Sequence, residues 1–148
     1  MENLEYYIEI TNVQSSVEVD EGRLREAISW ILRRALVDQA EVSVAVVDDP
    51  TIHELNREYL DHDYPTDVLS FVFEYEDGFL DGQIIVGGET AAREATQFGW
   101  NGQDELLLYV VHGTLHLVGY DDLTDDTQAA MREAERTALA QFGLEPRW

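Results

Sequence analysis

The sequence predicts an α/β fold of the mixed α+β kind, a four-stranded mixed sheet with about five helices packed around it. Segments rich in β-forming residues alternate with segments whose apolar residues recur at helical spacing. Two successive strands are joined by a short turn, which requires at least one antiparallel pair and excludes a simple doubly wound sheet. The strongly apolar segment 104–117 predicts a central helix that is covered on most sides.

The first half of the chain predicts two strands, each followed by a helix. Residues 4–11 are rich in β-forming types and predict a strand. Asp20 is a good N-cap for a helix over residues 21–37, in which apolar side chains recur at helical spacing. Residues 42–49 predict a buried strand, and a proline in the first turn favours a helix over residues 49–60.

The second half predicts a strand pair followed by three helices. The strands are expected at residues 66–73 and 83–86, with turns around Asp77-Gly78 and Asp81-Gly82 between them. The helices are expected at residues 88–98, 104–117 and 124–142, with Gly99 and Gly119 ending the first two.

The composition bounds the class of protein. A chain of 148 residues has the usual size of one domain, so we expect a single domain over residues 1–148. The absence of cysteine excludes disulfides and leaves His and carboxylate side chains as the ligands for any metal. The N-terminus lacks the features of a signal peptide, and the apolar segment 106–120 is too short to span a bilayer. We therefore expect a soluble, cytoplasmic protein.

The chain is also strongly acidic. Its 31 Asp and Glu residues outnumber 9 basic residues, all of them Arg, which gives a net charge of −22. This balance disfavours non-specific attraction to nucleic acid or to an anionic membrane, so any contact with RNA must be local. The excess of carboxylates is typical of a protein adapted to a salty cell interior, and an acidic protein from an ordinary cell is an equally good interpretation.

One constellation carries metal chemistry. His112 and His116 are four residues apart on a predicted helix, so both imidazoles reach one ion. Gly119 can end that helix and let the chain present Asp121 or Asp122 to the same ion, at the spacing of the metzincin signature. Three protein ligands with an open position are typical of a catalytic zinc. The pattern therefore predicts a metal-dependent hydrolase, whereas an isolated His pair would more simply be hydrogen-bonded core residues.

Three longer motifs resemble a known family. They are HGTLHLVGYDD at 112–122, LNREYLDHDYPTDVLSF at 55–71 and GQIIVGGETAAREA at 82–95. Together with the order of the elements, they resemble the YbeY family of bacterial endoribonucleases over most of the chain.

The resemblance implies a metal-dependent, single-strand-specific endoribonuclease that matures the 3′ end of 16S ribosomal RNA and acts in ribosome quality control. It implies one Zn²⁺ per chain, with another divalent cation as an alternative. The implied partners are single-stranded RNA, the small ribosomal subunit and an assembly GTPase, and no membrane.

The resemblance also assigns residues. His112 and His116 take the places of the first two metal ligands and act in catalysis, and Asp122 stands where the family has a third His. Leu60 stands where the family carries a functional Arg, so Arg57, one turn earlier, is our candidate for that catalytic role, with a solvated helix residue as the alternative. These departures leave open a non-catalytic ribosome-assembly factor that keeps the metal.

Two further positions bear on the chemistry. Gly113 occupies the place of the general-base Glu of His-Glu-x-x-His proteases, which argues against a zinc metallopeptidase. Asp67, in the middle motif, is the residue of that motif that we expect to face the cleft.

Overall fold

A four-stranded mixed sheet forms the frame of the fold. The computed structural model describes residues 5–60 and 67–147. The strands are β1 (Glu5–Asn12), β2 (Gln39–Val47), β3 (Val68–Glu76) and β4 (Phe79–Gly87). They lie in the order β1-β2-β4-β3, with β1, β2 and β4 mutually parallel and β3 antiparallel to β4. The predicted mixed sheet with one antiparallel pair is confirmed.

Five helices pack on this sheet in the described part of the chain. They are α1 (Glu21–Arg34), α2 (Asp49–Leu60), α3 (Gly88–Phe98), α4 (Gly102–Leu117) and α5 (Asp125–Ala140). Helix α4 contacts α1, α3 and α5 as well as strands β3 and β4, and nearly all of its apolar side chains are buried. The prediction of a central helix that carries the His pair is therefore confirmed.

The two faces of the sheet bury different clusters. On the α4 side, Val44, Val46 and Ile84 belong to the large core. The neighbouring positions Val47 and Ile85 point the other way, where they pack with Ile52 of α2 in a smaller cluster. This alternation follows from the two-residue period of a strand, and it places α2 on the opposite face from α4.

Several predicted helix boundaries coincide with local chemistry. The side chain of Asp20 accepts a hydrogen bond from the backbone N–H of Arg23, as expected of an N-cap. Gly99 ends α3 in the left-handed conformation with φ 75°. Thr124 caps α5 through a reciprocal pair of hydrogen bonds with Thr127.

Other boundaries differ from the prediction. Helix α1 ends at Arg34 rather than at residue 37, because Leu36 takes a left-handed φ of 61° that stops the helix. The strand predicted at 83–86 extends over the whole of β4. The turn is made by Asp77 and Gly78, with φ values of 51° and 81°, whereas the predicted second turn lies inside β4. A membrane-spanning helix is not found in the described residues.

Candidate metal centre and adjoining cavity

The two histidines of α4 face each other. The Nε2 atoms of His112 and His116 are 3.1 Å apart, and the rings meet edge to face with centroids 4.6 Å apart. Both side chains are half-buried at the C-terminal end of the helix. The four-residue spacing thus places one ring nitrogen of each imidazole at a common point.

The other ring nitrogens fix the protonation of this pair. Nδ1 of His112 lies 2.6 Å from Oε1 of Glu135, and Nδ1 of His116 lies 3.0 Å from the carbonyl oxygen of Tyr120. Both oxygens accept hydrogen bonds, so each neutral imidazole carries its proton on Nδ1. In these neutral tautomers the two Nε2 lone pairs point at one another, an arrangement that a cation relieves.

The turn after α4 brings a carboxylate to the same point. Gly119 leaves the helix with φ 107°, a conformation that favours glycine. Oδ2 of Asp122 then lies 3.9 Å from Nε2 of His112. The neighbouring Asp121 instead accepts a hydrogen bond from the backbone N–H of Leu123, at 3.1 Å, and so holds the turn. Of the two acids, Asp122 is the one that the fold brings to the histidines.

The donor atoms of this group fit a divalent cation. One atom each from His112, His116 and Asp122 lies within 4.8 Å of the others. Zinc bonds of roughly 2.0–2.2 Å at tetrahedral angles place neighbouring donors about 3.3 Å apart, close to the spacing found here. Small side-chain rotations would close the remaining difference for the half-exposed Asp122.

Glu135 polarises the first histidine. Its carboxylate is almost fully buried between α4 and α5, with 3% of its surface exposed. Burial lowers the pKa of His112, but the hydrogen bond and the charge of Glu135 together raise it by more, so that the net pKa lies above the ordinary value. Burial and the neighbouring His112 lower the pKa of His116. The two rings are therefore electrostatically distinct.

Gly113 lies against the sheet and not against the histidines. A Cβ at this position would lie 2.8 Å from Cγ2 of Ile84 and 3.1 Å from Oγ of Ser70. The Ser70 hydroxyl donates a 3.1 Å hydrogen bond to the carbonyl oxygen of Gly113. The close approach of α4 to β3 and β4 thus leaves no space for a glutamate at position 113.

A cavity of about 700 Å³ adjoins the histidines, between α3, α4 and α5. His112, Asp122 and Glu135, which lie beside one another, contribute to its lining. The remaining walls combine charged, aromatic and aliphatic side chains, contributed by Asp67, Thr90, Arg93, Glu94, Phe98, Glu105, Leu108, Tyr109, Gln128, Met131, Arg132 and Arg147. Asp67 thus faces the cleft as expected, and the volume is typical of a ligand site.

The arginines that line this cavity were not anticipated from the sequence. Arg93 pairs with Asp49 at 3.0 Å, and Arg147 donates a 2.7 Å hydrogen bond to the carbonyl oxygen of Gly99. Arg132 projects from α5 one turn before Glu135. The signal that could have found Arg132 is its place in the sequence, on the face of an amphipathic helix shared with residues 128 and 135.

Arg57, the arginine singled out in the sequence, lies elsewhere, as does Arg23 of α1. Arg57 pairs with Glu54 on the exposed surface of α2 and is not among the residues that line the cavity. Its catalytic role stays a prediction. On α1, Arg23 pairs with Asp104 at 2.7 Å. The side chain of Leu60 and the whole of residues 61–66 lie outside the part of the chain that is described in detail.

Glu135 is the functional residue that sequence reasoning missed most clearly. It lies on the buried stripe of α5, with Met131 one turn before it and Leu139 one turn after it. A carboxylate on an otherwise apolar stripe requires a buried partner, and here the partner is His112. That mismatch was the available signal.

Comparisons with known proteins agree with the motifs. A family model described as endoribonuclease YbeY matches residues 9–143. An endoribonuclease YbeY of Rhodopirellula baltica is 48% identical over 154 residues, covering 91% of this chain and 79% of the relative. One of Desulfitobacterium hafniense is 38% identical, covering 93% and 98%. A solution structure of a Thermotoga maritima protein matches with a TM-score of 0.62 at 27% identity, covering 92% and 91%. The chain belongs to the YbeY endoribonuclease family.

Proposed function

We propose that this protein is a metal-dependent endoribonuclease that cleaves single-stranded RNA. We also propose that residues 1–148 form a single domain. Its substrate would be ribosomal RNA in the cytoplasm, with roles in 3′-end maturation of 16S RNA and in ribosome quality control. The small ribosomal subunit and an assembly GTPase would be its partners. Membership of the family supports the reaction class. The observation that carries the metal dependence is the convergence of acceptor atoms from His112, His116 and Asp122.

The proposed cofactor is one Zn²⁺ per chain, with another divalent cation as the alternative. Two imidazoles and a carboxylate, without a thiolate, suit zinc and leave room for a harder ion. When bound, such an ion supplies Lewis acidity toward a phosphate oxygen and lowers the pKa of a water molecule.

The chain itself would position the ligands and the strand. Glu135 holds the ring of His112 and the carbonyl oxygen of Tyr120 holds that of His116, so both face the ion in one tautomer. The cavity beside them, of about 700 Å³, is large enough to accept a nucleotide next to the bond that is cut. In this proposal His112 and His116 are catalytic residues, and Arg57 is a candidate to stand in for the functional Arg that the family carries at the position of Leu60.

Arginines would neutralise the phosphates locally. Arg93, Arg132 and Arg147 surround the cavity, although the chain as a whole has a net charge of −22. Guanidinium groups bind phosphate through paired N–H donors, so three of them at one cavity can hold an RNA strand where the remaining surface repels it.

The test is cleavage by purified protein whose metal content has been measured. We expect about one zinc per chain and cleavage of a labelled single-stranded RNA, with the matching duplex at least tenfold slower. His116→Ala should lose both metal and activity, whereas His53→Ala on α2 serves as the control. A parent protein that holds zinc but leaves RNA intact contradicts the nuclease proposal.

A non-catalytic assembly factor is the second candidate, because Leu60 and Asp122 depart from the residues that the family pattern carries at those places. Binding to the small ribosomal subunit without cleavage of any RNA would favour it. A metallopeptidase is disfavoured by Gly113, since the packing against Ile84 excludes a glutamate there.

A further inference from the structure

The cavity also contains a buried carboxylate, two turns of α4 before His112, that the proposed cleavage does not use. Glu105 begins the stripe of α4 that lines the cavity and is 3% exposed. Its Oε1 accepts a 2.8 Å hydrogen bond from the indole Nε1–H of Trp100, and the Tyr109 hydroxyl also interacts with it. Both partners are neutral, and none of the described cationic side chains forms an ion pair with Glu105.

Burying such a group without a cation is costly. Burial raises the pKa of Glu105 despite its two neutral hydrogen-bonding partners, and the nearby charges of Glu94 and Asp67 raise it further. A carboxylate offers about four acceptor positions, and the two neutral partners occupy only part of them. A buried acid in the lining of a cavity therefore indicates a ligand that brings hydrogen-bond donors.

The surroundings decide which part of an RNA strand would enter. Glu94 and Asp67 line the cavity with Glu105, and their charges act on its carboxylate. The guanidinium of Arg147 lies over the Trp100 ring, 5.8 Å from its centroid, and does not pair with Glu105. The oxygens of Glu105 themselves therefore disfavour a phosphate and favour a group with N–H donors. Phe98 and Met131 supply apolar walls against which a flat ring can pack. A base fits this description and a phosphate does not.

The spacing along α4 fits a single nucleotide. Glu105 and His112 lie on the same stripe two turns apart, which is roughly 10 Å along a helix. That is about the reach from the phosphate of a nucleotide to the far edge of its base. A phosphate beside His112 would thus place its base over Glu105.

We propose that this cavity is a base pocket, and that Glu105 selects guanine by accepting hydrogen bonds from its N1–H and N2–H groups. The inference rests on the proposed nuclease function. Guanine alone among the four bases presents two adjacent donors on its Watson–Crick edge, which match the two oxygens of a carboxylate. Adenine and cytosine place an acceptor beside their donor, and uracil places acceptors on both sides.

The binding test uses the zinc-loaded protein and nucleoside monophosphates, without any cleavage. Because the Trp100 indole N–H donates to Glu105, its NMR signal reports on this carboxylate, and Trp100→Phe identifies the signal. We expect guanosine monophosphate to shift this signal and to bind at least tenfold tighter than adenosine monophosphate. Inosine monophosphate, which lacks the N2 amino group, should bind several-fold more weakly than the guanosine nucleotide.

The variant test asks whether Glu105 carries the preference. Glu105→Gln keeps an oxygen for Trp100, so we expect it to fold, to lose at least tenfold in guanosine monophosphate affinity and to bind adenosine monophosphate within twofold of the parent. Glu133→Gln, which changes an exposed acid of α5, is the control and should leave both affinities unchanged. If Glu105→Gln does not fold, the parent protein tests the proposal through its affinities for guanosine and inosine monophosphate. Equal affinities for these two nucleotides would overturn the proposal.

The outcomes separate this proposal from the nuclease proposal. Parent protein that cuts RNA but binds all four nucleotides equally overturns the base pocket alone. Selective guanosine binding by a protein that cuts no RNA supports the pocket and contradicts the nuclease. In a third outcome, Glu105→Gln loses affinity equally for all four nucleotides and no longer distinguishes ribonucleotides from 2′-deoxynucleotides. That result overturns base selection in favour of ribose recognition.

Discussion

The Nδ1 atom of His112 lies 2.6 Å from Oε1 of Glu135, which joins helix α4 to helix α5 through a nearly buried charge. This contact selects the tautomer of His112 and leaves its Nε2 lone pair directed at His116. A carboxylate behind a ligating imidazole also increases its basicity. Glu135 therefore connects the packing of the last helix to the affinity of the proposed metal centre.

We expect Glu135→Gln to lower zinc affinity about 10- to 100-fold, because the amide keeps the shape of the side chain but removes its charge. Competition with a chromophoric chelator would measure the affinity. Glu133→Gln, on the exposed face of the same helix, should bind zinc like the parent. Equal affinities for Glu135→Gln and the parent would show that the contact serves packing only.

Much of the fold could be predicted because local chemistry and the tertiary structure agree. Asp20 caps α1, and Gly99 takes the left-handed conformation that ends α3. The end of α1 could not be predicted, because Leu36 has no side-chain preference for its φ of 61°. That conformation is stabilised by the chain turning back into β2, with the N–H of Val37 donating to the carbonyl oxygen of Leu32.

The candidate site likewise has a part that could be predicted from the sequence and a part that could not. His112, His116 and Asp122 lie within eleven residues of each other, so helix periodicity and one glycine turn were enough to bring them together. Glu105 of α4 and Glu135 of α5 line the same cavity, although they are thirty residues apart in the chain. Their meeting depends on how α4 and α5 pack, which no local pattern encodes.

Gly113 tests the steric argument against a peptidase. Gly113→Ala places a Cβ 2.8 Å from Ile84, in a tightly packed contact between α4 and β4, so we expect a loss of about 1–3 kcal/mol in the free energy of unfolding. Urea denaturation would measure it. Gly22→Ala on α1 is the matched control, since the nearest atom to its Cβ is 3.6 Å away, and it should gain about 0.4–1 kcal/mol. A Gly113→Ala variant as stable as the parent would remove the steric argument.

Two arginines of α5 test whether the cavity holds the RNA strand. Arg132 lines the cavity, whereas Arg136, one turn later, pairs with Glu133 at 2.7 Å on the exposed surface. Arg132→Ala should weaken RNA binding several-fold and reduce the salt dependence by about one counterion, because a phosphate contact is lost. Arg136→Ala changes the net charge equally and should have little effect. RNA affinity would be measured by fluorescence anisotropy. Equal losses of RNA affinity in the two variants would mean that only the overall charge of the protein matters.

Asp121 and Asp122 are adjacent in the chain, but only Asp122 lies beside the histidines. Oδ2 of Asp122 is 3.9 Å from Nε2 of His112, whereas Asp121 holds the backbone of Leu123. Interactions with Thr127 and with that backbone N–H also lower the pKa of Asp121. Asp121 is therefore ionised at neutral pH, and its hydrogen bonds are made within the turn.

We therefore expect Asp122→Ala to lose most of its zinc affinity and RNA cleavage, because it removes one of three ligands. Asp121→Ala should lose less, through loosening of the turn that presents Asp122. Asp122→His should keep the metal, since an imidazole fits the same tetrahedral position and restores the residue found in the family pattern. Zinc content, affinity and cleavage measured on the three variants would check this order. If Asp122→Ala binds zinc as tightly as the parent while Asp121→Ala does not, the third ligand is Asp121, and only the pair of histidines remains of the proposed centre.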